Sequence, residues 1–137
     1  MNSLNQSPPV SEAQLGVFIV EDSPIVRVRL EEMLAEIPGT FNAGHASTAG
    51  DAIRGILEAH PNVVLLDLQL AQGSGLEVLR KVRPHMPTIV YYMLSNCSPP
   101  LYRRVALELG ASAYFDKSHQ FAELHRAIAT LAHQIVH

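Results

Sequence analysis

The sequence from Val63 to Gly75 reads VVLLDLQLAQGSG, and the rest of the chain can be interpreted around it. Four consecutive branched apolar residues are typical of a strand that is buried on both faces of a sheet. The run ends on Asp67, which places this carboxylate at the carboxyl end of a central strand. In an open parallel sheet that edge binds ligands, because the connecting loops leave a crevice there. Since a buried aspartate is costly without a partner, we expect the chain to supply one.

The size and composition of the chain indicate one globular domain. Its 137 residues and 47% hydrophobic content are sufficient for a single domain with its own core. The formal net charge of -3 and the lack of a lysine and arginine cluster argue against a nucleic-acid-binding surface. The single cysteine, Cys97, is typical of a reducing cytoplasm, and no stretch predicts a signal peptide or a membrane span. We therefore predict a cytoplasmic protein without membrane or nucleic-acid contacts, with a flexible N-terminal tail (1–14) and one domain (15–137).

Strand and helix patterns alternate five times after the predicted tail. Runs rich in branched or aromatic residues predict strands at residues 16–20, 41–46, 63–67, 88–94 and 111–115. Hydroxyl residues typical of helix caps predict helices that begin at Ser23, Thr48, Ser98 and Ser118, and a further helix begins near Gly75. The alternation predicts an α/β fold in which helices cover both faces of a parallel sheet.

Five polar residues lie at the carboxyl ends of four of the predicted strands, and right-handed crossovers place the carboxyl ends of all the strands on one edge. These residues are Glu21, Asp22, Asp67, Ser95 and Lys117. Neighbouring carboxylates raise each other's proton affinity unless a cation intervenes, and oxygen ligands in this number favour Mg²⁺. A metal ion and an ammonium group around a carboxylate stabilise a phosphoryl group. Asp67 is therefore predicted to attack phosphorus and form an acyl phosphate, with Ser95 bonding a phosphoryl oxygen.

Four motifs together resemble a response-regulator receiver domain, the phospho-acceptor half of two-component signalling. They are VEDS (20–23), LLDLQLAQGSG (65–75), LSN (94–96) and GASAYFDKS (110–118). All four in this order are far more specific than any one of them. The resemblance implies a flavodoxin-like, doubly wound sheet of five parallel strands in the order 2-1-3-4-5, with five helices in a three-layer sandwich. It also implies a phosphohistidine donor on a sensor histidine kinase or a histidine phosphotransfer protein.

The resemblance assigns a role to each site residue. Asp67 would be the phosphorylation site, Asp22 a direct Mg²⁺ ligand and Glu21 a ligand through water. The metal set would also include the backbone carbonyl of Gln69 and the Asp67 carboxylate. Lys117 would pair with the phosphate, Ser95 would be the switch hydroxyl, and Tyr114 would be the aromatic residue whose rotamer changes with Ser95. Switching would change the face formed by the fourth helix, the fifth strand and the fifth helix.

The chain departs from the family pattern at four positions. Glu21 replaces the more common aspartate, and Ala71 replaces a proline, so we expect a looser loop after Asp67. Ser118 replaces the proline that usually follows the lysine, so a trans bond is expected there. Asn96 is bulkier than the small residue that is usual beside the switch hydroxyl, and we expect it to slow both gain and loss of phosphate.

The leading hypothesis is a stand-alone switch, monomeric or weakly dimeric, that signals to an unknown protein target. It is not an enzyme beyond its own phosphorylation and dephosphorylation. Two alternatives remain, namely a phosphorylation-independent interaction module and a receiver fragment of a longer DNA-binding regulator. A phosphatase with an aspartyl intermediate is disfavoured, because Gln69 stands where such enzymes have a second aspartate as general acid.

Overall fold

Five strands alternate with five helices in the computed structural model, which describes residues 14–96 and 99–136. The strands are β1 (Leu15–Val20), β2 (Thr40–Ala46), β3 (Val63–Asp67), β4 (Val90–Ser95) and β5 (Ala113–Asp116). The helices are α1 (Pro24–Ala35), α2 (Ala49–Ala59), α3 (Gly75–Val82), α4 (Pro100–Glu108) and α5 (Phe121–Val136). Residues 1–13 of the predicted tail, Cys97 and the predicted helix start at Ser98 lie outside the described residues.

All five strands are parallel and form one sheet of order β2-β1-β3-β4-β5. The predicted order 2-1-3-4-5 is therefore confirmed. β3 is the central strand, and all of its residues are buried. Asp67 is in register with Leu94 on β4, and Ser95 is in register with Asp116 on β5. The carboxyl ends of these three strands consequently lie side by side.

The sheet separates two hydrophobic cores. Helices α1 and α5 pack on one face, which we call the α1–α5 core, and α2, α3 and α4 pack on the other, the α2–α4 core. Side chains of β3 alternate between them, because successive residues of a strand point to opposite faces. Val63 and Leu65 lie in the α1–α5 core, whereas Val64 and Leu66 lie in the α2–α4 core. The predicted three-layer arrangement is confirmed, and it explains why this strand is a continuous apolar run.

Three of the predicted helix starts, at Ser23, Thr48 and Gly75, are confirmed and one is wrong. The side chains of Ser23 and Thr48 accept bonds from the backbone N–H three residues later, at 3.3 and 3.2 Å. The last helix begins at Phe121, so Ser118 precedes it by three residues and does not cap it. Ser118 instead belongs to a turn that joins β5 to α5.

Strands β4 and β5 begin two residues later than predicted, at Val90 and Ala113. Before β4 the chain forms a turn in which the N–H of Ile89 donates to the carbonyl of Met86 at 3.4 Å. Neither difference moves the carboxyl ends of the strands, where the predicted site residues lie.

Candidate functional site

The carboxyl ends of β1, β3, β4 and β5 surround a pocket of about 260 Å³. Six predicted site residues line it, namely Glu21, Asp22, Asp67, Gln69, Ser95 and Lys117. Tyr114, the seventh, does not line it. The topology therefore brings together residues that are separated by up to 96 positions in the sequence.

Lys117 is the cation of this pocket. Its Nζ atom lies 3.0 Å from Oε1 of Glu21 and 3.2 Å from Oδ1 of Asp67. The exposed fraction of the side chain is 12% for Lys117, 0% for Glu21 and 6% for Asp67, so solvent screens these pairs poorly. Each of the three residues lies two positions after a member of the α1–α5 core. The alternation of side chains along the strands therefore directs all three to the same side of the sheet.

One ammonium group does not neutralise two buried carboxylates. Burial raises the pKa of Asp67, the charge of Glu21 adds to the rise and Lys117 opposes it, so that the pKa moves from 3.8 to about 7. Burial lowers the pKa of Lys117, but its ion pairs with Asp67 and Glu21 outweigh this effect and raise the pKa above the ordinary 10.5. The cluster therefore has an excess of negative charge, which favours a bound cation.

The three acidic residues are suitable ligands for a hard metal ion. Carboxylate oxygens of Glu21, Asp22 and Asp67 all lie within 4.8 Å of one another. Oxygen donors of this kind suit Mg²⁺, which also retains several waters. Both oxygens of Glu21 already have partners, because Oε1 accepts from Lys117 and Oε2 accepts from the backbone N–H of Ser23 at 3.0 Å. Asp22 and Asp67 are therefore better suited to direct contact with a metal, and Glu21 to contact through water.

Ser95 and Tyr114 lie toward the other core. Ser95, which is 4% exposed, comes two residues after Met93 of the α2–α4 core, and Tyr114 is in register with Met93. The Tyr114 ring packs against that core, and its hydroxyl is buried without a hydrogen-bond partner among the described residues. A buried unsatisfied hydroxyl costs about 1–3 kcal/mol. The unsatisfied hydroxyl therefore offsets part of the free energy gained by burying the ring.

Backbone contacts anchor the loop between β3 and α3 at two points. The N–H of Ala49, at the start of α2, donates to the carbonyl of Gln72 at 2.9 Å, and the N–H of Gly75 donates to Leu68 at 2.9 Å. A Cβ atom on Gly75 would lie 2.3 Å from the carbonyl oxygen of Asp67. Only glycine therefore allows α3 to begin this close to the end of β3.

Lys117 is also fixed through its backbone. Its N–H donates to the carbonyl of Ser95 at 2.8 Å, and this bond extends the pairing of β4 and β5 beyond the last strand residue. No peptide bond is cis in the part of the chain that the structure describes, so the predicted trans bond between Lys117 and Ser118 is confirmed.

The sequence analysis missed the contact between the Ser23 N–H and Glu21. A helix cap two residues after an acidic residue is the pattern that could have revealed it.

Five parallel strands in this order, covered by helices on both faces, define a doubly wound, flavodoxin-like α/β protein with an acidic, lysine-containing pocket at its carboxyl edge. Residues 17–129 match the response regulator receiver domain family. The chain therefore belongs to this family, whose members act in two-component signalling.

The relatives include a response regulator, a transcriptional activator and an enzyme. The chain is 31% identical over 114 residues to response regulator GacA of Pseudomonas viridiflava, covering 83% of this chain and 53% of GacA. It is 31% identical over 112 residues to the DNA-binding transcriptional activator DevR/DosR of Mycobacterium tuberculosis, covering 82% and 52%. It is 32% identical over 104 residues to a protein-glutamate methylesterase/protein-glutamine glutaminase of Geobacter sulfurreducens, covering 76% and 28%. The chain thus spans about half the length of the two regulators.

Solved structures have the same fold. A two-component response regulator of the LuxR family from Aurantimonas sp. SI85-9A1 aligns with a TM-score of 0.80 and 30% identity, covering 88% of this chain and 86% of that one. The response regulator domain of Thermotoga maritima CheB aligns with a TM-score of 0.77 and 22% identity, covering 90% and 96%. Among the described residues no helix is long and apolar enough to cross a bilayer.

Proposed function

We propose that this receiver domain accepts a phosphoryl group on Asp67 from a phosphohistidine donor in the cytoplasm. The observation that carries the proposal is the ammonium group of Lys117, 3.2 Å from Oδ1 of Asp67 in an acidic pocket. A sensor histidine kinase or a histidine phosphotransfer protein would supply the phosphoryl group. The reaction modifies the domain itself, so we do not propose turnover of a separate substrate.

The proposed step needs positioning and charge neutralisation more than covalent catalysis. A carboxylate oxygen of Asp67 attacks phosphorus, the P–N bond of the donor breaks, and the imidazole nitrogen keeps the electron pair and takes a proton from water. Lys117 then bonds an oxygen of the new phosphoryl group. Because its ammonium group already lies beside Asp67, little reorganisation is needed when the charge arrives.

Mg²⁺ is the cofactor that we propose for this step. Asp22, Asp67 and the backbone carbonyl of Gln69 would hold it, with Glu21 acting through water. When bound, the ion neutralises charge on the phosphoryl oxygens. The excess negative charge of the cluster supports this assignment, since Lys117 alone leaves it uncompensated.

The proposed output surface is the face formed by α4, β5 and α5. Ser95 would donate a hydrogen bond to a phosphoryl oxygen, and Tyr114 would move in response. The buried hydroxyl of Tyr114, which has no partner among the described residues, supports this assignment, because its cost reduces the free energy needed to move the ring. The downstream partner would be a protein, and the domain itself a monomer or a weak dimer.

Phosphorylation by a small donor tests the proposal directly. The protein is incubated with acetyl phosphate and Mg²⁺, and intact-mass spectrometry should detect the addition of one phosphoryl group. Asp67→Asn should abolish the addition, whereas Asp51→Asn, an exposed aspartate on α2, should not. Equal incorporation into Asp67→Asn would remove Asp67 from its proposed role, and failure of the wild type to bind Mg²⁺ would favour a phosphorylation-independent module.

An exposed apolar patch next to the pocket supports a protein as the phosphoryl donor. Ile25 and Val28 on α1 are 83% and 44% exposed, and Ile25 lies three residues after the acidic residue Asp22. A donor histidine must approach Asp67 from this edge of the sheet. We propose that the donor protein covers this patch on α1 when it transfers the phosphoryl group.

A second candidate function is the receiver part of a longer DNA-binding regulator. It is favoured by the lengths of the relatives, since the chain covers 53% of GacA and 52% of DevR/DosR. The two candidates differ in what responds to phosphorylation: a separate partner protein in the stand-alone switch, and a DNA-binding part of the same chain in the longer regulator. Intact-mass analysis of the native protein, with a pull-down in the presence and absence of beryllofluoride, separates them. A partner protein that binds only with beryllofluoride supports the stand-alone switch, and a native mass well above 15.0 kDa supports the longer regulator.

A further inference from the structure

Lys117 enters the pocket from a short turn, residues 116–120, between β5 and α5. The turn contains no proline, and none of its peptide bonds is cis. A lysine side chain has many rotamers, so its ammonium group is placed reliably only if the backbone that carries it is fixed. The hydrogen bonds within this turn therefore influence the position of the Lys117 ammonium group in the pocket.

Asp116 and Gln120 close the turn with a reciprocal pair of hydrogen bonds. The N–H of Asp116 donates to Oε1 of Gln120 at 2.8 Å, and the N–H of Gln120 donates to the carbonyl of Asp116 at 2.8 Å. The side chain of Asp116 adds a third bond, because its Oδ1 accepts from the N–H of Ser118 at 2.7 Å. Lys117 lies inside this set, and its own N–H is held by Ser95.

We propose that Asp116 and Gln120 are positioning residues that aim Lys117 at Glu21 and Asp67. The role of Lys117 toward phosphate is part of the proposed function, and this inference rests on it. In this turn, which contains no proline, the two side chains constrain the backbone of Lys117. Neither of them lines the acidic pocket, so they act through the backbone of Lys117.

Exposure argues against a purely structural purpose for these bonds. The side chain of Asp116 is 33% exposed, and Ser118 and His119 are exposed. Helix α5 is attached to the sheet farther along, through the buried residues Leu124 and Ile128. None of these turn bonds is made by a residue of the α1–α5 core, and the residue that they surround is Lys117.

Two pairs of matched variants test the proposal. Ser118→Pro introduces the residue usual in the family but removes the N–H that donates to Oδ1 of Asp116. Ser118→Ala keeps this N–H and loses only the 3.5 Å contact with Asn96. Gln120→Ala removes the acceptor for the Asp116 N–H, and Gln120→Glu restores an acceptor at the same place. The proposal expects the first member of each pair to disturb Lys117 and the second to leave it unchanged.

The primary readout is NMR of ¹⁵N-lysine-labelled protein, because the chain contains only two lysines, Lys81 and Lys117. Lys81 is exposed on α3 and serves as the internal reference. Ser118→Pro and Gln120→Ala should shift or broaden the Lys117 Nζ signal and leave that of Lys81 unchanged. The same two variants should accept phosphate from acetyl phosphate about tenfold more slowly, since small misplacements of catalytic groups have effects of this order or larger.

The outcomes separate this inference from the proposed function. A wild type that accepts no phosphate would end the proposed function, while the Lys117 signal would still decide whether the turn positions the lysine. An unchanged Lys117 signal and rate in Gln120→Ala would overturn the inference, as would equal loss in Gln120→Glu. If Ser118→Pro does not fold, the Gln120 pair decides the question alone.

Discussion

Replacing Asp67 with asparagine should make the metal-free protein more stable, although it removes the proposed phosphorylation site. In the wild type, the buried carboxylates of Glu21 and Asp67 share the ammonium group of Lys117. Asp67→Asn removes the excess negative charge and leaves Glu21 and Lys117 as a matched pair. Asparagine has nearly the same shape as aspartate, so the packing around the strand end should change little.

The size of this effect follows from the pKa of Asp67. Its ordinary value of 3.8 rises to about 7 in the folded protein, mainly through burial. The folded protein therefore binds the proton more tightly than the unfolded chain, and stability is lost as the pH rises from about 4 to about 7. This interval corresponds to roughly 4 kcal/mol, at about 1.4 kcal/mol per pH unit. The pKa of about 7 already includes the attraction of Lys117. Because an asparagine amide does not reproduce every hydrogen bond of the protonated carboxyl, we expect a net gain of about 2 kcal/mol above neutral pH.

Thermal unfolding followed by circular dichroism, with a chelator present, measures the difference. At about pH 8 the variant should unfold roughly 6–10 °C above the wild type, since each kcal/mol shifts the midpoint by roughly 3–5 °C in a chain of this size. At about pH 5 the gap should shrink, because Asp67 is then mostly protonated in the folded wild type. Adding Mg²⁺ at the higher pH should also narrow the gap, because the ion stabilises the wild type by binding its intact acidic cluster.

Asp116→Asn is the matched control, because it changes the same residue type at the carboxyl end of β5, two strands away from β3 in the sheet. A backbone hydrogen bond from Ser118 lowers the pKa of Asp116, so its charge contributes stability above the ordinary pKa and loses it at lower pH. Asp116→Asn should therefore be less stable than the wild type at neutral pH, the opposite of Asp67→Asn. The reasoning is refuted if Asp67→Asn is the less stable protein at about pH 8, or if its difference from the wild type does not depend on pH.

Three further changes have expected outcomes. Tyr114→Phe removes a buried hydroxyl without a partner and should raise the free energy of unfolding in urea by about 1 kcal/mol; a loss would mean that the hydroxyl is satisfied. Gly75→Ala places Cβ 2.3 Å from the Asp67 carbonyl oxygen and should cost about 2 kcal/mol or more. Gly50→Ala on α2 is the control, because its Cβ would lie at an ordinary contact distance of 3.8 Å from Nη1 of Arg54, and it should gain about 0.5–1 kcal/mol. Ile25→Glu should slow phosphotransfer from the cognate donor protein but not from acetyl phosphate. If the variant and the wild type accept phosphate from the donor protein at equal rates, the α1 patch is not where the donor binds.

The fold could be predicted because its strongest signals are local. The continuous apolar run of β3 is required by burial on both faces, and it ends at Asp67 both in the pattern and in the structure. The caps at Ser23 and Thr48 depend on residues within one helical turn, so they too were predicted correctly. Ser118 failed as a cap because a hydroxyl residue before an apolar stripe is equally compatible with a turn. Its N–H bonds Asp116 instead, and the helix begins three residues later.

The sequence by itself determined which residues meet at one edge of the sheet, because right-handed crossovers place the carboxyl ends of alternating parallel strands on the same edge. The strand order was implied by the resemblance to receiver domains. Only the tertiary structure decided how they share charge. The ammonium group of Lys117 contacts both Glu21 and Asp67, and the second oxygen of Glu21 accepts from the Ser23 N–H. These contacts depend on distances of about 3 Å between separate segments of the chain. No pattern along a chain records such distances, because they result from packing in two cores on either side of the sheet.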